Sequence, residues 1–115
     1  VEKEKDIEKY CNDKLCDFTY SSTFYTTFFE FLNSLYSEES FKNISRELPI
    51  MIVSGDMDPV GKFGKGVAEL EKFYNKIGFK DVTCHLYKNA RHELHNEINR
   101  DEVFNDIEKW LEIRI

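Results

Sequence analysis

At 115 residues the chain has room for one small domain and one modest core. A net charge of −6, with Lys and Arg scattered, argues against nucleic acid and anionic membrane surfaces as partners. No apolar stretch approaches the roughly 20 residues of a membrane span and no signal-peptide pattern opens the chain, so no stable membrane insertion is expected.

In chain order, residues 1–9 are mostly charged and read as a solvated helical start. The first residue is Val1 rather than Met, which fits a piece of a longer protein. Cys11, Cys16 and Cys84 are odd in number and lack C-x-x-C spacing, which reads as three free thiols in a reducing, cytoplasmic compartment. The spacing predicts a helix over 23–36. Phe24, Phe28, Phe31, Leu32 and Leu35 form its stripe, and Tyr25, Phe29 and Tyr36 widen it beyond one face. A turn over 40–45 follows. Leu48 to Val53 is apolar without alternation and reads as a strand covered on both faces, as in a parallel sheet. Pro49 is acceptable at the start of such a strand.

Gly55, Gly61, Gly64 and Gly66 then punctuate a loop. Val67, Leu70, Phe73, Tyr74 and Ile77 mark an amphipathic helix stopped by Gly78. Asp81 to Tyr87 reads as a second strand. A last helix is expected from about Asp101 to Ile113, with Val103, Ile107, Trp110 and Leu111 facing inward. Strand–helix–strand–helix implies a crossover between two neighbouring parallel strands. Such a pair leaves apolar edges that something must cover, so self-association of the chain is expected.

Two loops carry candidate chemistry. Ser54-Gly55-Asp56-Met57-Asp58-Pro59-Val60 follows the first strand and Ala90-Arg91-His92-Glu93-Leu94-His95-Asn96-Glu97 follows the second. Histidine is a useful base near neutral pH, and it needs a buried acceptor on its far nitrogen to fix the tautomer. Asp58 precedes Pro59, which favours extended backbone at a strand's carboxyl end, where open α/β sheets place functional groups. Asp56 is its competitor, and both carboxylates also suit ordinary turn-forming roles. Together with a histidine loop after the next strand, the pattern favours Asp58 as acid and His92 as base.

The other histidines read differently. His85 lies within the second strand and suits a packed or edge position, and His95 suits support of the turn or a cap on the next helix. His92-Glu93-Leu94-His95 is one residue short of the H-E-x-x-H zinc motif, whose histidines stand at i and i+4, so no metal site is assigned. The glycines ahead of the middle helix are weak evidence for a phosphate loop. The aromatic helix has two readings, a space-filling core helix or an apolar wall facing a lipid-like ligand or partner.

Tyr10-x-x-Asp13-x-Leu15-Cys16-x-Phe18, Gly55-x-x-Asp58-Pro59-Val60-Gly61, Gly64-Lys65-Gly66-Val67 and Tyr87-x-x-Ala90-Arg91-His92-Glu93-x-x-Asn96-Glu97 stand in one register over residues 10–115. They resemble the carboxy-terminal part of a lysophospholipase or monoacylglycerol-lipase-like α/β-hydrolase, the group labelled serine aminopeptidase S33. The resemblance implies an α/β fold with residues 1–46 as a helical cap segment and 47–115 as the strand–helix–strand–helix end of the core. It also implies Asp58 as triad acid and His92 as triad base, with Phe24, Phe28 and Phe31 on an acyl-chain wall. The implied substrate is a small ester or lipid-like molecule, and no cofactor is required. In that fold the nucleophile precedes the acid and the histidine comes last. No Gly-x-Ser-x-Gly occurs in this chain, so its nucleophile is expected outside these residues and the chain alone is expected to be inactive. The competing reading is a non-catalytic α/β module that self-associates or binds a partner through the aromatic helix.

Overall fold

The run Ile50–Gly55 forms strand β1 and Val82–Tyr87 forms strand β2, paired in parallel from Ile50↔Val82 to Gly55↔Tyr87. The structure is a computed structural model that describes residues 3–16, 18–35 and 37–114. Val1 and Tyr36, which figure in the sequence reading, lie outside the described residues. The remaining elements are helices α1 (Glu4–Asn12), α2 (Ser22–Leu35), α3 (Glu38–Phe41), α4 (Lys65–Lys76) and α5 (Arg100–Glu112), with one 3₁₀ turn at Leu94–Asn96. The architecture is mixed α/β: two parallel strands linked through α4, closed by α5 and preceded by helices.

Local chemistry accounts for most boundaries. Strand β1 starts two residues after Leu48, because Pro49 has no N–H for the ladder and Leu48 is exposed. The strand then continues to Gly55, whose backbone is buried. Helix α4 turns Val67 inward, and its chain leaves the helical path at Gly78 (φ +97°), a left-handed conformation that glycine adopts without a Cβ clash. Asp101 and Glu102 in the first turn of α5 and Lys109 in its last complement the helix dipole.

The core is small. Tyr87, Ala90, Leu94 and Val103 form it, with Val53 and Ile107 packed against them. A second cluster sets Phe41 against Phe73 and Tyr74, and Tyr74 edge-on to Phe79, while the Arg46 guanidinium lies 4.8 Å above the Phe79 ring. The carboxyl end is tied to β2 by polar contacts. Trp110 Nε1 donates to Thr83 Oγ1 at 3.1 Å, and the Arg114 guanidinium makes two 2.9 Å bonds to the Asp81 carboxylate while lying over the Trp110 ring.

Two expectations change here. Strand β1 is half-buried rather than covered on both faces, because among the described residues β2 is its one strand neighbour and its other edge stays unpaired. Leu111 is exposed, not inward; Val103 takes the buried position on α5. The aromatic helix α2 has no buried residue and α1 has none either. The radius of gyration, 16.9 Å, exceeds the ~13 Å of a compact chain of this length, as helices standing off a small core require. Among the described residues no helix is long and apolar enough to cross a membrane.

Candidate active site

Because Gly55 pairs with Tyr87, β1 and β2 end level, and the turns that follow emerge side by side. Backbone hydrogen bonds then continue the ladder beyond the strands. Asp56 N–H donates to Tyr87 O at 3.0 Å, and Met57 N–H to Ala90 O at 2.9 Å. The Asp56 carboxylate accepts from Asn89 N–H at 2.7 Å, and Asn89 holds the left-handed conformation (φ 61°) that Asn tolerates better than most residues. Gly55 lies so close beneath this loop that an added Cβ would stand 2.0 Å from Ala90 O and 2.5 Å from Arg91 O. No residue with a side chain fits there.

This close joint sets the position of Asp58. Its N–H donates to Gly55 O at 3.2 Å, and its carbonyl accepts from Phe63 N–H at 2.8 Å. Its Oδ1 accepts from Val60 N–H at 2.9 Å, and its Oδ2 lies 3.0 Å from His92 Nδ1. Asp58 is only 4% exposed, whereas the His92 side chain is 64% exposed. Burial by itself pushes the Asp58 carboxyl upward. The His92 hydrogen bond, the Val60 N–H and the imidazole charge oppose it and hold the group below the ordinary carboxylate value. An ionised carboxylate only accepts, so the contact assigns the neutral imidazole proton to Nδ1 and leaves Nε2 with its lone pair.

The structure therefore brings Asp58 and His92 together, and Asp56 sits instead on the backbone of Asn89. His85 is exposed on β2 with its ring 4.4 Å from that of Tyr87. His95 is exposed within the 3₁₀ turn, and Asn99 rather than His95 stands at the N-cap of α5. Among the described residues no group of three His, Cys, Asp or Glu could hold a metal ion. Cys11, Cys16 and Cys84 are unpaired.

Phe24, Phe28 and Phe31 are exposed on α2. Tyr20 stacks on Phe24 and Phe24 on Phe28, with ring centroids 4.1 and 5.9 Å apart. An open groove of about 680 Å³ runs between α3 and α4, lined by Phe41, Arg46, Phe73 and Ile77 among others, away from the Asp58–His92 pair. Beside the pair itself, Met57, Val60 and Phe63 expose apolar side chains on the acid turn.

The residue whose part is least legible in the sequence is Glu97. It is fully buried, and its Oε1 accepts from the backbone N–H of Arg91 at 3.0 Å. Nothing in the pattern separates it from the neighbouring Glu93; only its register after the 3₁₀ turn turns it inward.

Two comparisons relate this chain to known proteins. The family model described as "Serine aminopeptidase, S33" matches residues 1–99. The structure is similar to that of a highly thermostable carboxyl esterase from Bacillus coagulans, solved in complex with glycerol, with a TM-score of 0.74 and 30% sequence identity. That alignment covers 95% of this chain and 36% of the esterase, so the chain spans about a third of the length of its structural relative. No match was found among curated protein sequences.

Proposed function

The chain belongs to the S33 serine aminopeptidase family of α/β-hydrolases, and from that premise we propose that it supplies the acid and base of a serine hydrolase acting on carboxylic esters. The observation that carries the reading is the 3.0 Å contact from Asp58 Oδ2 to His92 Nδ1, with the carboxylate buried and the imidazole exposed. A serine outside these 115 residues is the nucleophile. Its Oγ attacks the ester carbonyl carbon while His92 Nε2 takes the hydroxyl proton, and Asp58 stabilises the imidazolium. The tetrahedral intermediate collapses by breaking the C–O bond to the alcohol, which leaves with the proton from His92. Water, deprotonated by His92 in turn, releases the carboxylic acid and restores the serine.

The substrate class we propose is a monoacylglycerol or lysophospholipid, its acyl chain lying along the aromatic face of α2 through Phe24, Phe28 and Phe31. The continuous exposure of that face supports this, as does the carboxyl-esterase activity named for the structural relative. Residues 1–46 act as the cap, and the three unpaired thiols fit a cytoplasmic setting.

The test is covalent labelling. The 115-residue chain should resist a fluorophosphonate serine probe and should not hydrolyse p-nitrophenyl esters above a His92→Ala control. A longer protein carrying this segment behind a Gly-x-Ser-x-Gly should be labelled by the probe and should hydrolyse the esters. Stoichiometric labelling of the 115-residue chain would overturn the assignment of the nucleophile to another segment.

A further inference from the structure

The loop that carries His92 has firm ground on either side of it. Ala90 is 2% exposed and pressed on Gly55, and Leu94 is buried in the core with Tyr87 and Val103. Between these anchors the Arg91 and His92 side chains are exposed, so side-chain burial does little to fix the backbone that aims the imidazole. Hydrogen bonds hold it instead. On the carboxyl side, Glu93 O accepts from Asn96 N–H at 2.8 Å and Leu94 O from Glu97 N–H at 3.2 Å, which folds the chain into the 3₁₀ turn. That turn delivers the Glu97 side chain back under the loop, where Oε1 receives the Arg91 N–H at 3.0 Å.

A carboxyl group with no solvent exposure is costly unless polar partners replace its water. If the site needed only volume, an apolar side chain would fill it at lower cost. What the carboxyl adds at Oε1 is an acceptor for the N–H of the residue immediately before His92. We infer that Glu97 is a positioning residue for His92: its buried carboxyl oxygen fixes the Arg91 backbone and thereby holds the imidazole with Nδ1 toward Asp58. The catalytic consequence rests on the reading of His92 as the base, whereas the positioning itself can be observed without turnover. Glu97 touches no reacting atom and acts only through the loop.

The experiment is ¹⁵N-histidine and amide-exchange spectroscopy on the full 115-residue chain. In the wild type the neutral His92 ring should carry its proton on Nδ1, and the Arg91 amide, though on an exposed residue, should exchange at least ~10-fold more slowly than an unstructured amide. Glu97→Met keeps the volume and removes the acceptor; it should lose the Nδ1–H signal in favour of Nε2–H. Glu97→Gln keeps an amide oxygen at the same place and should restore the wild-type tautomer. If Glu97→Met fails to fold, Arg91 exchange in the wild type still decides the matter. A wild-type Nδ1–H signal alongside an unprotected Arg91 amide, or a folded Glu97→Met with an unchanged tautomer, overturns the role of Glu97 and leaves the Asp58–His92 pair standing. A wild-type ring protonated on Nε2 overturns the pair itself.

Discussion

Asp58 and His92 stand 34 residues apart in the chain and 3.0 Å apart in space. The contact follows from the register of two strands more than from either loop alone. With Gly55 opposite Tyr87, the turns begin at the same height, and two backbone hydrogen bonds from Asp56 and Met57 carry the pairing on into the histidine loop. A slip of the register by one residue would move every side chain of β2 to the opposite face and part the acid from the base.

The two neighbouring acids should therefore separate cleanly by mutation. In a complete hydrolase carrying this segment, Asp58→Asn should lower kcat by about 10⁴-fold, because the amide can present N–H to Nδ1 and select the wrong tautomer. Asp56→Asn retains a carbonyl oxygen for Asn89 N–H and should cost less than about tenfold. Steady-state kinetics on the two variants checks this, and equal losses would mean that the turn and not the carboxylate matters.

Gly55 is the tightest point of the joint. Gly55→Ala would place a methyl against the backbone of Ala90 and Arg91, which no rotamer change relieves. A destabilisation of about 3 kcal/mol or more is expected by urea unfolding, the upper end for overpacking, together with loss of the His92 Nδ1–H signal. Gly78→Ala meets nothing within 4 Å and is strained only by its φ of +97°, so about 1–2 kcal/mol and an intact His92 signal are expected there. Equal behaviour of the two would contradict the close approach.

Much of this was legible in the residues because each strand end carries its own signals. Asp58-Pro59 after an apolar run and His92 after a second strand mark two loops on one sheet edge, and the helix and strand boundaries fall within a few residues of their apolar and glycine signals. What was not legible depends on which side chains find a partner. Leu111 shares the apolar spacing of Val103, yet only Val103 meets Tyr87 and Leu94. Glu97 differs from Glu93 only in where the 3₁₀ turn leaves it. Aromatic spacing on α2 gives a helix but cannot say that none of its residues is buried.

Acid and alkali should each weaken the fold through identifiable groups. Asp58 is held below its ordinary value of 3.8 against the opposing effect of burial, and Asp81 is held down chiefly by its bonds to Arg114. A depressed carboxylate contributes stability that is present above its unfolded value and lost as pH falls through the folded one. The stability deficits of Asp58→Asn and Asp81→Asn should accordingly be largest near pH 7 and shrink below about pH 3.8. Tyr87 behaves oppositely. Burial first, then the Asp106 carboxylate 3.3 Å from its hydroxyl, push it up to about 12. Its contribution is complete below the ordinary value of 10 and disappears as pH rises toward 12. Urea titrations across pH check both windows, and deficits that persist undiminished at pH 2 would sink the acid half.

The aromatic face of α2 yields the last expectation. Phe24, Phe28 and Phe31 are 42%, 43% and 58% exposed, so in the isolated chain each Phe→Ala change should alter stability by no more than about 0.5 kcal/mol. The same face is too large an apolar surface to leave in water, and at roughly 100 μM the chain should sediment as a self-associated species that Phe28→Ala weakens. In the complete hydrolase, an acyl chain lying on this face gains up to about 0.8 kcal/mol per buried methylene. Losing three such contacts, about 2.4 kcal/mol, should cut kcat/KM for long-chain esters by roughly 50-fold while acetate esters are turned over as before. A loss that is uniform across chain lengths and comes with a lower melting temperature would instead make these rings part of a core completed by the rest of the protein.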